Sequence, residues 1–246
     1  MENGSSTPAI SSEVADLQKR LESKEQELRN AHTELESCLY AISHDLRAPL
    51  RAIMTSAMIL KEDFGDSLNP EGVAELTRQN AAAKKMSALL DEILKLSRLS
   101  RQVMHIGTVD LAPLAQEIAE GLGSEFALSL QLPEAILVEA DPALAALAVK
   151  SVFDNSWKFR ERSRDLKVRV TNEDGRVKIE DNGIGWDTDR AQRAFLPFER
   201  INGDDFPGLG MGLTTLKRII DKHGGKVGAE GELGQRAVVW FTFGGE

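Results

Sequence analysis

One cysteine, Cys38, stands in 246 residues, so an intrachain disulfide is impossible and a reducing cytosol is the expected setting. A basic excess is missing as well. Lys and Arg number 30 against 39 Asp and Glu, a net charge of −9. That excludes general nucleic-acid binding, because neutralising a phosphate backbone needs a positive surface. No apolar run nears the ~20 residues that span a bilayer. Residues 1–8 are polar and Ser-rich rather than a secretory leader. The chain is therefore expected to be cytoplasmic, with no membrane segment and no nucleic-acid partner. Internal repeats and low-complexity tracts beyond the N-terminus are also missing. What is present, 41% hydrophobic and 28% charged residues, suffices to bury a core within one large domain or two ordinary ones.

Residues 1–9 carry no structural pattern and are expected to be disordered or vector-derived. Over 10–38 a heptad stripe runs through Ile10, Val14, Leu17, Leu21, Leu28, Ala31, Leu35 and Cys38 to Ile42, with Lys24 on the seam. This reads as a coiled-coil signalling helix. No Gly or Pro separates it from the next stretch, so one helix of about 50 residues, roughly 75 Å long, is expected. Rotation of such a rod would move whatever lies beyond it. Gly65 and Pro70 break the pattern, and a second helix follows through Val73, Leu76, Ala83, Met86, Leu90, Ile93 and Leu96. A helical hairpin over 39–103 has one apolar face that a single copy leaves in water. Two copies make a four-helix bundle, so a homodimer is expected.

Residues 104–109 lose the helical period and read as a linker. From 110 to 246 the pattern mixes helices (110–121, from 142, and 212–223) with strands (126–132, 135–138, 167–171, 176–180, 227–229, 237–243). Asp110 and Asp141 are expected N-caps, and the 172–175 stretch is a hairpin turn. Together these make an α/β two-layer sandwich, and the whole chain a multidomain α and α+β protein.

Four stretches carry the chemistry. The first, 43–50, reads Ser-His-Asp-Leu-Arg-Ala-Pro-Leu. Apolar residues pass it at Ile42, Leu46, Leu50, Ile53, Ala57, Leu60 and Phe64. At ~100° per residue, His44 lies about 200° from Ile42 and Leu46 and faces away from that stripe. An outward imidazole is open to another molecule and can act as a nucleophile. Pro49 cannot donate to the Asp45 carbonyl, so a kink is expected beside His44. Taken alone, such a pair is ordinarily a solvated surface histidine.

The second, 154–159, places Asn155 and Lys158 on one helix face, an amide that can ligate Mg²⁺ and an ammonium that can meet phosphate. The third, 180–187, sets Asp181 at a strand end, able to accept from an exocyclic amine. Gly183 and Gly185 let the backbone approach a flat ligand. In the fourth, Gly208, Gly210 and Gly212 precede a helix, whose N-terminus suits phosphate. No Walker lysine follows, so this is not a P-loop.

In this order the clusters resemble the nucleotide-binding boxes of the sensor histidine kinases of bacterial two-component systems. Residues 196–200, Leu-Pro-Phe-Glu-Arg, look like the family's phenylalanine box and 43–50 like its phosphoacceptor box. The 47–51 stretch is most similar to kinases attached to phytochrome-type sensors. The resemblance implies an ATP-dependent protein-histidine kinase: a dimerisation and phosphotransfer hairpin followed by a catalytic ATP-binding domain. His44 would take the γ-phosphate, Asp45 would orient its ring, and Arg200 would approach the phosphate during transfer. Asn155 would hold Mg²⁺, Lys158 the phosphates, and Asp181 the adenine amine. Gly183 and Gly185 would make room for the base. Gly208, Gly210 and Gly212 would let 202–212 fold over ATP as a lid. The phosphoryl group would pass to an aspartate of a response-regulator receiver domain. The family's N-terminal sensor domain is absent from this sequence.

Two positions depart from the family. Ser151 stands where an asparagine often helps hold the metal and where related ATPases carry a water-activating glutamate. Ala48 stands where Thr or Asn serves dephosphorylation of the partner, so weak phosphatase activity is expected. A degenerate ATP-binding scaffold and a serine kinase of the same nucleotide fold are the alternatives. His32, His105 and His223 are read as structural.

Overall fold

The computed structural model describes residues 7–122, 128–201, 206 and 208–244. The chain divides between Leu94 and Lys95 into two compact units.

The first unit is helical. Helix α1 spans Thr7–Phe64 and continues through Pro49. It starts before the expected limit: Thr7 to Ala9 are helical, and residues 1–6 lie outside the described residues. A 3₁₀ turn, Gly65–Ser67, leads to α2, Pro70–Arg101. Asn69 caps α2, its Oδ1 accepting from the Gly72 N–H at 2.8 Å, with Pro70 where a first-turn proline costs no hydrogen bond.

The hairpin seam differs from the stripe read in the sequence. Ser43, Leu50 and Ala57 of α1 are buried, with Met54 packed beside Leu50, Ala83 and Leu90. Ile42, Leu46, Ile53, Leu60 and Phe64 remain exposed. At ~100° per residue the two lines lie about 60° apart around α1. One helix thus carries two adjoining apolar lines, the first filled by α2 and the second open. Arg47 Nη2 donates to Asp91 Oδ1 at 2.9 Å, tying α1 to α2.

The second unit is a layered α/β structure. Strand β1 (Gly107–Asp110) pairs antiparallel with β3 (Leu137–Ala140). The main sheet has the order β2-β4-β5-β7-β6, formed by Leu128–Gln131, Leu166–Glu173, Arg176–Asp181, Arg236–Thr242 and Val227–Glu232. Strands β2 and β4 run parallel and the other pairs antiparallel. Helices α3 (Leu111–Gly121), α4 (Pro142–Lys158) and α6 (Gly212–Lys222) supply the other layer. The short α5 (Thr188–Ala191) and a 3₁₀ turn (Gln192–Phe195) lie between β5 and α6. In β4, Leu166, Val168 and Val170 are buried while Lys167 and Arg169 are exposed, the alternation of a one-sided sheet. Phe153, Ile179, Leu216, Ile219, Ile220 and Phe241 are fully buried. Each such side chain contributes roughly 1.5–3 kcal/mol, against ~1 kcal/mol for a helix cap. Core burial, more than capping, sets the stability of this unit.

The caps at Asp110 and Asp141 accept from Ala112 N, and from Ala143 N and Leu144 N, as their positions predicted. In the β4–β5 hairpin, Asp174 and Gly175 sit at φ of 51° and 78°, the paired positive values of a two-residue turn. Helix α6 ends at Lys222, one residue earlier than expected, with His223 as its cap. His223 is structural: its Nε2 accepts from Asp141 N at 3.1 Å and its Nδ1–H donates to the Ile219 carbonyl at 2.8 Å.

The expected linker 104–109 is corrected in part. Residues 107–109 belong to β1, and the His105 N–H donates to Asp141 Oδ2 at 2.9 Å. The last turns of α2 also belong to the second unit: Leu99 lies in its core and Lys222 Nζ donates to the Ser100 carbonyl at 2.8 Å. The helical pattern continues smoothly across this boundary, so periodicity could not mark it. The strands expected at 126–132 and 135–138 form as Leu128–Gln131 and Leu137–Ala140; residues 126 and 127 lie outside the described residues.

Candidate functional site

His44 lies on the exposed side of α1, its side chain 71% accessible, directly after Ser43 at 1%. Its Nδ1 stands 3.1 Å from Asp45 Oδ1. Adjacent helix positions do not face each other, yet here the two side chains meet within one continuous helix. Both are long enough to bend toward each other over the helix surface. An exposed pair of this kind adds little stability, but a carboxylate that accepts at Nδ1 favours the tautomer with the proton there and the lone pair on Nε2.

The other candidate residues lie in the second unit, around the C-terminal end of α4. Asp181 ends β5 and is 5% exposed. Its Oδ2 accepts from the Ser156 hydroxyl at 2.7 Å and its Oδ1 from the Gly183 N–H at 2.9 Å. Burial pushes the Asp181 carboxyl above the usual carboxylate range, against the opposing pull of these two hydrogen bonds. Ser156 was missed in the sequence. The available signal was a small hydroxyl continuing the buried line Val149, Val152, Phe153 at helical spacing, where an apolar residue would be the default.

Gly183 is required by close approach. A Cβ there would stand 2.5 Å from the Phe159 carbonyl oxygen and 2.8 Å from Asp181 Oδ1. Gly185, at φ 62°, would place a Cβ 2.0 Å from the Glu232 carbonyl oxygen. The room expected there for a ligand is filled by the β6–β7 hairpin. Gly185 therefore serves the packing of the turn, a role sequence spacing cannot separate from ligand clearance.

Lys158, the last residue of α4, is half-buried. Its Nζ lies 4.4 Å from the Phe159 ring centroid, and a Cβ on Gly208 would come within 2.9 Å of it. Burial and the nearby Arg200 guanidinium both hold the Lys158 amine below its usual range. Lys158 makes no ion pair among the described residues. Arg200 donates to the Phe206 carbonyl. Phe206 in turn packs on Phe159 with ring centroids 5.0 Å apart. A Cβ on Gly210 would meet the Glu199 carbonyl oxygen at 2.5 Å, whereas at Gly212 the nearest atom, the Ser151 carbonyl oxygen, is 3.6 Å away. Space therefore demands glycine at 210 and not at 212. Of the expected lid 202–212, residues 202–205 and 207 lie outside the described residues.

Asn155 is half-buried and its amide makes no hydrogen bond among the described residues. Ser151, 6% exposed, donates its hydroxyl to the Leu147 carbonyl at 2.8 Å, so that oxygen is committed to its own helix. The structure thus gathers Asp181, Ser156 and Gly183 at one point and Lys158, Arg200 and Gly208 at another, both beside the end of α4. His44 and Asp45 belong to the other unit. A buried acceptor together with neighbouring cations suits a ligand that is part amine-bearing ring and part polyanion.

Comparison with known proteins agrees with this chemistry. Residues 34–102 match the His Kinase A (phospho-acceptor) domain, and 140–245 match the histidine kinase-, DNA gyrase B- and HSP90-like ATPase family. The chain is 32% identical to the methanogenesis regulatory histidine kinase FilI of Methanothrix harundinacea, over 92% of this chain and 26% of that protein. It is 28% identical to cyanobacterial phytochrome B of Nostoc sp., over 88% and 30%. It is 32% identical to the sensor protein CreC of Escherichia coli, over 83% and 44%. The chain therefore spans less than half the length of these relatives. Among solved structures, full-length ShkA in complex with AMPPNP matches at TM-score 0.57 and 25% identity, covering 82% of this chain and 44% of that one. The Acinetobacter baumannii histidine kinase AdeS shares the fold at TM-score 0.54 and 17% identity, covering 82% and 98%. No helix among the described residues is long and apolar enough to cross a membrane. The phosphoacceptor match precedes the ATPase match along one chain that is similar to several sensor kinases, and the chain belongs to the sensor histidine kinases.

Proposed function

We propose that this chain autophosphorylates on His44 from ATP and passes the phosphoryl group to an aspartate of a response-regulator receiver domain. The observation that carries the reading is the pairing of Lys158 and Arg200 near the glycine-rich 208–212 segment, two cations close enough for one to depress the other's amine. A triphosphate relieves that repulsion. Asp181, anchored on both oxygens yet retaining lone pairs, suits the exocyclic amine of adenine.

In the reaction, the Nε2 lone pair of His44 forms a bond to the γ-phosphorus as the bond from that phosphorus to the ADP oxygen breaks. Asp45 steadies the positive charge that develops on the ring by holding the Nδ1 proton. Asn155, with its uncommitted amide, would hold Mg²⁺ beside the phosphates; the ion neutralises charge on them. Ser151 adds no ligand to that metal and no base for water, which favours transfer over hydrolysis. The open apolar line Ile42, Leu46, Ile53, Leu60 and Phe64 supports a homodimer that closes a four-helix bundle. The coiled-coil line Leu17, Leu21, Leu28 and Leu35, exposed in one copy, continues it.

Incubation with γ-labelled ATP and Mg²⁺ tests this. Acid-labile, alkali-stable label is expected on the wild type, none on His44→Gln, and none on Asn155→Asp. A second reading, a dimeric scaffold that binds ATP without transfer, draws on the thin metal coordination left by Ser151. ATP binding with no label on the wild type would establish it instead.

A further inference from the structure

The Asp181 carboxylate is set by the Gly183 N–H, and that N–H lies in a turn whose outward carbonyls need a partner of their own. Arg164, in the loop after α4, provides it. Its Nη2 reaches the carbonyl oxygens of Asn182 at 2.5 Å, Gly183 at 3.1 Å and Gly234 at 3.4 Å. Three carbonyl dipoles converge on one guanidinium, and without a cation there they would repel one another. Gly234 belongs to the β6–β7 turn, and its N–H donates to the Ile184 carbonyl at 2.6 Å. Ile184 N–H in turn donates to the Phe159 carbonyl at 2.9 Å. The 181–185 turn is thus held between the segment after α4 and the β6–β7 hairpin, and Arg164 touches both sides. Asn182 secures only the near edge, donating from Nδ2 to the Asp165 carbonyl at 3.1 Å and accepting at Oδ1 from Lys167 N at 2.8 Å.

We infer that Arg164 is a positioning residue for the purine-reading carboxylate, holding the Gly183 N–H against Asp181 Oδ1 by gathering the carbonyls of Asn182, Gly183 and Gly234. This rests on the nucleotide reading above and deepens it. Arg164 touches no ligand; it acts through the turn. All three contacts come from the one Nη2 atom at the tip of the side chain; lysine keeps the positive charge on a shorter side chain, so Arg164→Lys restores only part of the hold.

The test measures ATP and GTP dissociation constants by calorimetry on the wild type, Arg164→Ala and Arg164→Lys. It adds amide hydrogen exchange of Gly183 in nucleotide-free protein. In Arg164→Ala the Kd for ATP is expected to rise roughly fivefold to twentyfold, the scale of one or two lost hydrogen bonds. The Kd for GTP should move less, so that discrimination shrinks, and kcat at saturating ATP should stay within about threefold. Gly183 exchange should accelerate about tenfold or more while Val170 and Ile179 amides keep their protection. Arg164→Lys, the milder change, should show the same pattern at smaller amplitude. ATP affinity within twofold of wild type, or equal acceleration at Gly183 and Val170, overturns the inference, the latter by showing a general stabilising role. Failure of the wild type to bind ATP sinks the nucleotide reading instead, and Gly183 exchange alone then decides whether Arg164 holds the turn.

Discussion

The helical unit and the α/β unit bury their side chains in different ways. Within one copy the hairpin closes around Ser43, Leu50, Ala57, Ala83 and Leu90, mostly small or aliphatic groups, and leaves a second apolar line in water. The α/β unit completes its core alone, with Phe153, Phe241 and several Leu and Ile side chains fully buried, and carries its key carboxylate inside that core. The difference teaches where each unit keeps its reactive group. The hairpin presents His44 on a surface that needs no tertiary shaping. The sandwich spends packing, hydrogen bonds and glycine clearances to hold one carboxylate in place. The first unit leaves an apolar line uncovered in one copy, and the second leaves Lys158 without an ion pair among the described residues.

The largest effect should come from attacking the incomplete face. Ile53→Glu places a charge on the open line of each copy, and two unpaired carboxylates in one apolar interface cost several kcal/mol. Sedimentation equilibrium should find monomer at micromolar concentrations where the wild type is a dimer. A wild type that is monomeric throughout breaks the comparison, because the open line then needs no cover.

Next in size is Asp181→Asn, which keeps the side chain's shape and its acceptor for the Gly183 N–H, reverses the Ser156 bond so that the amide donates to the hydroxyl oxygen, and removes the charge. ATP affinity should fall about 10- to 100-fold, the worth of a hydrogen bond to a charged group. Stability should move the other way. Burial raises the Asp181 carboxyl above 3.8, so the folded protein binds more protons than the unfolded chain as pH passes from 3.8 up to that raised value. Stability from this group is therefore present at low pH and lost as pH climbs through that window. Calorimetry should show the Asn variant melting higher than wild type at pH 7, by roughly 2–4 °C for each kcal/mol relieved. The advantage should shrink as the pH approaches 4. An advantage that grows toward acid would mean the charged form is the favoured one in the fold.

The smallest effect should follow Arg47→Ala. Its partner Asp91 is half exposed, and such pairs are worth about 0.2–1 kcal/mol. Urea unfolding should shift the hairpin transition slightly and leave nucleotide affinity in the other unit unchanged. A loss of several kcal/mol would make this pair part of the seam rather than its edge.

Much of this was readable in the residues. Asp110 and Asp141 announce their helices because a cap is a local hydrogen bond. The Asp174-Gly175 turn announces itself because positive φ is tolerated by few residues. His44 announces its exposure because a 3.6-residue period separates faces. The seam was harder. Ile42, Leu46, Ile53 and Leu60 form the more hydrophobic line, yet Ser43, Leu50 and Ala57 are the ones covered, since small residues let two helices approach and hydropathy alone does not rank lines by fit. The unit boundary inside α2 was hidden because a continuous helix gives no local sign of which core its far end joins.

By itself the sequence determined the helix faces, the caps, the turn chemistry and the order of the reactive residues, because each follows from contacts within a few positions along the chain. What needed the folded chain was that Ser156 grips Asp181, that Gly185 clears the β6–β7 hairpin and that Arg164 joins three carbonyls. Each of these brings together groups from separate elements, as far apart as 164 and 234, and which groups meet across such gaps is set by the packing of the whole sheet and its helices.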